Sequence, residues 1–68
     1  MMRNPDRLDK FYEELWSLHK IYFPDLRFGQ LYSNFFSWLT STKGKDVFYM
    51  EEGQTLAFLK EYITEMRG

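Results

Sequence analysis

The sequence predicts an all-α fold, a single small three-helix bundle with helices at about 5–22, 26–40 and 52–66 and a structured connector at 46–50. Three observations predict it. Apolar side chains recur every three or four residues in three separate stretches, the period of a helix with one buried face. A proline junction and a polar, glycine-containing run separate those stretches. The chain has 68 residues, enough for one core and too few for a second, so residues 1–68 are read as one domain.

The first helix opens at Asn4-Pro5-Asp6. Asn4 is a capping residue, Pro5 suits the first helical position, and Asp6 places negative charge at the positive end of the helix dipole. Leu8, Phe11, Tyr12, Leu15, Leu18, His19 and Tyr22 form its apolar stripe, with Trp16 on the flank. Phe23-Pro24 ends it, because the residue before a proline avoids helical geometry. Asp25 is the expected cap of the second helix, whose stripe is Phe28, Leu31, Tyr32, Phe35 and Leu39, flanked by Phe36 and Trp38. Thr40 to Lys45 is polar and contains Gly44, so a flexible loop is expected there.

The segment Asp46-Val47-Phe48-Tyr49-Met50 has strand propensity but no partner strand. A buried turn or short 3-10 segment is expected instead, with Asp46 capping its own turn, Phe48 inserted in the core and Tyr49 at its edge; the alternative is that Asp46, Phe48 and Tyr49 form a hot-spot loop for a partner. The third helix runs from Glu51-Glu52-Gly53 through Thr55, Leu56, Leu59, Tyr62 and Ile63 to about Met66. Arg67 and Gly68 supply the positive charge and the glycine of a helix end.

Composition narrows the function. There is no cysteine, which removes disulfides and thiolate metal sites and fits a reducing cytoplasm. His19 is the single histidine, so a metal site would have to be completed by carboxylates alone. No metal and no cofactor are expected. Nine Lys and Arg nearly balance ten Asp and Glu, which argues against a polybasic nucleic-acid binder and against an acidic mimic. The start Met1-Met2-Arg3-Asn4-Pro5-Asp6-Arg7 is polar and does not read as a secretion signal, and no apolar run approaches the roughly 20 residues that span a bilayer. A soluble, cytoplasmic protein without a membrane partner is expected.

Catalytic constellations are missing too. Ser17, Ser33, Ser37 and Ser41 stand in no nucleophile motif. Glu13-Glu14 and Glu51-Glu52 are sequential pairs, which a helix points to different faces. A chain this short builds no deep cleft, so neither an enzyme nor a small-molecule substrate is expected. Lys43-Gly44-Lys45 lacks the upstream glycine and following hydroxyl of a phosphate loop and reads as a solvated loop tip.

Asn4-Pro5-Asp6-Arg7, Pro24 through Leu31, and Phe48-Tyr49-Met50-Glu51-Glu52 together span nearly the whole chain. They resemble the pattern Asn-Pro-x-Arg, Pro-Asp-Leu-Arg-Phe-Gly-Gln-Leu and Phe-Tyr-Met-Glu-acid of a family of small bacterial and phage-associated helical proteins, found especially in Firmicutes. The chain departs from that pattern at Val47, where the family often has proline, and at Gly53, where it has another polar helix former. The resemblance implies a helical fold and brings no assigned activity.

The aromatic content carries the functional expectation. Seven Phe, five Tyr and two Trp exceed what one small core hides. Trp16, Phe36, Trp38 and Phe58 fall off the helical stripes and are the candidate partner contacts, with Arg27 and Gln30 as a polar edge. Gly29 costs up to about 1 kcal/mol in a helix interior relative to Ala, so this segment serves either packing or recognition. In the packing reading Arg27 pairs with an acid, while Gln30 and Asn34 hold nearby backbone. His19 is read as a packing residue. The expected function is a non-enzymatic interaction module that binds a protein partner or a second copy of itself. The alternative is a helix-turn-helix nucleic-acid binder that turns at Phe23-Pro24-Asp25 and reads with Gln30, Ser33, Asn34, Ser37 and Ser41. Arg27 is the only cation on that helix, which makes nucleic acid the weaker reading.

Overall fold

The first helix starts two residues later than expected: its N-cap is Asp6, which makes no side-chain cap bond, and Asn4 and Pro5 belong to the turn before it. The Asn4 side chain fastens that turn. Asn4 Oδ1 accepts the Asp6 N–H at 2.9 Å, and the N–H groups of Arg7, Leu8 and Asp9 each reach back three residues to a carbonyl. The computed structural model describes residues 4–67, so the Met1–Arg3 start and the Gly68 helix end lie outside the described residues. After that tight first turn, α1 runs Arg7–Tyr22, and its last turn closes with the Phe23 N–H on the His19 carbonyl at 2.9 Å.

The second helix corrects two expectations. Asp25 lies in the turn and caps nothing; α2 spans Phe28–Trp38 and its N-cap is Arg27 in extended geometry. Gln30 Oε1 accepts the Arg27 N–H at 2.8 Å. That is half of a capping box, and the other half is closed because a guanidinium has no acceptor. The expected loop at 40–45 is also largely helical. Leu39–Lys43 continues α2 as a π-helical turn. The Thr40 and Ser41 hydroxyls donate to the carbonyls of Phe36 and Ser37 at 3.1 and 2.9 Å, the back-bonding that loosens a helix where it occurs. Gly44 stops the turn at φ 63, a left-handed conformation that glycine adopts without a Cβ clash. The N–H groups of Gly44 and Lys45 both end on the Leu39 carbonyl.

Val47–Tyr49 is a 3-10 turn, one of the forms expected, and Asp46 caps it by accepting the Phe48 N–H at 2.9 Å. Its orientation is the reverse of expectation. Residues three apart share a face in a 3-10 turn, and here Val47 and Met50 take the inner one, packed against the core. Phe48 and Tyr49 are left 81% and 80% exposed. The last helix, α3, spans Glu52–Arg67 and buries all five expected positions, Thr55, Leu56, Leu59, Tyr62 and Ile63.

These elements form an all-α three-helix bundle with no strand among the described residues. The core lies between α2 with its π-turn and α3: Leu31, Tyr32, Phe35, Trp38 and Leu39 meet Leu59, Tyr62 and Ile63. Trp38, expected at the edge, is buried. It stacks on Phe35, meets Tyr62 edge-on at 5.3 Å and donates its indole N–H to Glu65 at 3.2 Å. Lys43 lies over its face and is ion-paired with Glu61.

α1 runs parallel to α3. Arg7 pairs with Glu52 at 2.9 Å, Glu14 faces Lys60 at 3.9 Å, and Arg67 lies over the Tyr22 ring; each pair is separated by 45 or so positions, the register of two helices starting side by side. Yet α1 has no buried residue. Leu15 and Leu18 reach the core only in part, and α1 meets α2 far more sparsely than it meets α3. The α2 side of its stripe is therefore uncovered. Among the described residues, no helix is long and apolar enough to cross a membrane.

Candidate functional site: an aromatic groove between α1 and α2

The gap between α1 and α2 is a groove. Its α1 wall is Phe11, Tyr12 and Leu15, its α2 wall is Phe28, Tyr32 and Phe36 with Phe35 beneath, and Val47 and Met50 of the connector also line it. The α2 wall follows from sequence spacing. Phe28, Tyr32 and Phe36 are four residues apart and so stack along one side of the helix, with ring centroids 4.7 and 6.3 Å apart. Phe28, the first residue of α2, is 70% exposed. Tyr12 is 59% exposed because α1 leans on α3 instead. Both were expected in the core.

The groove is electrically quiet. Among the described residues Glu52 is the one charged side chain lining it, and Arg7 is ion-paired with that carboxylate. Burial pushes the Tyr32 phenol above its ordinary value, which keeps the floor neutral. The space amounts to about 240 Å³, below the roughly 300 Å³ at which small-molecule clefts begin. Open, apolar and shallow, it suits inserted side chains.

The six candidate contact residues are not brought together. Phe36 lines the groove and is 38% exposed. Trp16 is 62% exposed on α1, beyond the lining, with the Lys20 ammonium over its ring at 5.0 Å. Trp38 belongs to the core, and Phe58 is half-buried against it. Arg27 is exposed immediately before Phe28, and no ion pair joins it to an acid among the described residues. The Gln30 side chain is engaged at the start of its own helix. Gly29 has open space where a Cβ would stand, so close packing is not its reason.

Sequence reasoning missed Tyr12 and Phe28, which it placed in the core. Phe48 was expected in the core with Tyr49 at its edge and an exposed hot-spot loop as the alternative; both rings are exposed. His19 is half-buried and packs edge-on against Tyr32. Its Nε2 lies 2.8 Å from the Leu26 carbonyl, which can only accept, so that nitrogen carries the proton. Among the described residues no group of His, Asp and Glu could hold a metal ion. The outward positions of α2, Gln30, Ser33, Asn34 and Ser37, carry no cation, and Lys43-Gly44-Lys45 sits at a helix C-terminus, the end of the dipole that repels anions.

No protein-family model matches the chain, and neither does any curated protein or solved structure. What the fold and the site define is a small three-helix bundle with one uncovered aromatic groove.

Proposed function

We propose that this chain is a non-enzymatic interaction module that binds a protein through the groove between α1 and α2. The observation that carries the reading is the set of aromatic side chains left uncovered around one neutral, apolar furrow. Scattered exposed apolar residues are ordinary, but a contiguous patch marks a contact surface. Aromatic residues supply most of the energy at such surfaces, because each removes a large apolar area from water at little conformational cost. The resemblance to bacterial and phage-associated proteins makes a bacterial cytoplasm the setting of this proposal, and a host or defence protein one kind of partner to screen.

A nucleic-acid partner is not favoured by the geometry. Phosphate neutralisation needs several cations on one face, whereas Arg7, Lys43 and Lys60 face acids and Lys20 and Arg67 lie over rings.

The test is a photo-crosslinking phenylalanine analogue at position 28, compared with the same analogue at Asn34. Positions 34 and 36 are two apart in α2 and so point to opposite sides. Protein adducts at 28 that Tyr12→Asp abolishes, with none at 34, are expected. Equal labelling at both positions, or none at either, would sink the proposal.

A further inference from the structure

Phe48 and Tyr49 form a paired aromatic knob, with ring centroids 4.9 Å apart. They project from the outer face of the same 3-10 turn whose inner face, Val47 and Met50, lines the groove. The knob therefore stands beside a hole that it cannot enter, because entering would turn Val47 and Met50 out of the core. From this juxtaposition we infer that the occupant of the groove is the Phe48-Tyr49 knob of a second copy of this chain, in a two-fold dimer. The inference rests on the protein-binding reading of the same groove and names the partner.

A two-fold axis needs a self-complementary patch, one that carries both the inserting and the receiving element. This surface carries both, a few residues apart. The area is of the right size as well. Taking roughly 200 Å² per fully exposed ring, Tyr12, Phe28, Phe36, Phe48 and Tyr49 together leave on the order of 650 Å² in water, close to the roughly 800 Å² per partner of a standard interface. Charge does not oppose the pairing. The net charge is −1, too small for two copies to repel, and the carboxylate in the groove is already paired with Arg7. Self-association also covers the unburied side of α1, which the monomer leaves without a partner.

The experiment is sedimentation equilibrium of the full chain over a concentration series, for wild type, Phe48→Asp and Phe28→Glu. Both substituted residues are largely exposed, and circular dichroism checks that each variant keeps the helical spectrum. Wild type is expected to be dimeric in the micromolar range, and each variant to dimerise at least tenfold more weakly. Exchange of knobs makes a sharper demand. Phe48→Asp keeps a sound hole and Phe28→Glu keeps a sound knob, so an equimolar mixture retains one of the two contacts. The mixture is expected to associate more tightly than either variant alone. A wild type that stays monomeric up to about 1 mM, or a dimer indifferent to Phe48→Asp, would overturn the inference. A monomer that still forms a discrete adduct with another protein from position 28 would overturn self-pairing and leave the protein-binding reading standing.

Discussion

Two glycines in neighbouring segments have opposite roles. Gly29 stands inside α2 in ordinary helical geometry with open space around it. A Cβ there meets nothing and removes backbone freedom from the unfolded chain, so Gly29→Ala is expected to stabilise the fold by about 0.5–1 kcal/mol. In a domain this small that raises the thermal midpoint by roughly 2–8 °C. Gly44 holds φ 63 at the end of the π-turn, where an L side chain costs roughly 1–2 kcal/mol. Gly44→Ala is expected to lower the midpoint by a similar or larger step, in the same thermal-melt series. Equal effects of the two substitutions would mean that backbone conformation does not decide them.

Between the helices, stability is unequal. α2 and α3 share the core, whereas α1 has no buried residue: Leu15 and Leu18 pack on that core in part, and two exposed ion pairs and the Arg67–Tyr22 contact join it to α3. Exposed pairs contribute only about 0–1 kcal/mol each. α1 is therefore the element that opens first, and hydrogen exchange is expected to show its amides less protected than those of α2 and α3. Addition of salt is expected to widen that gap by screening the ion pairs. The three helices were legible in the sequence because their apolar period is local. α3 was read almost residue for residue, since its stripe faces the other two helices. The stripe of α2 was found, but not which flank would be covered. Periodicity locates the centre of a buried face, while the neighbour that closes each side depends on packing across the chain. That is why Trp38 and Phe28 exchanged their expected places. The candidate site was least legible for the same reason: a groove is a statement about two elements failing to meet, and no single segment carries it.

At the scale of the whole molecule, Tyr32 and Tyr62 lie in the one core and link its stability to pH. Burial raises both phenols above their ordinary 10.0. The folded state thus holds these protons more tightly than the unfolded state does. The stability they contribute is fully present below pH 10.0 and is lost as pH rises through the raised folded values. Alkaline titration followed by circular dichroism is expected to unfold the bundle as these two buried phenols ionise, and Tyr32→Phe to move that transition upward. An unchanged alkaline midpoint in Tyr32→Phe would assign the loss of stability to other groups.

The two tryptophans lie at opposite extremes of solvent contact, Trp16 at 62% and Trp38 at 8%. That difference gives the chain two native optical reporters. With Trp16→Phe the remaining indole emits from the apolar interior and follows the joining of α2 to α3. With Trp38→Phe it emits from water on α1, so movement or covering of that helix is read as a colour change without any label.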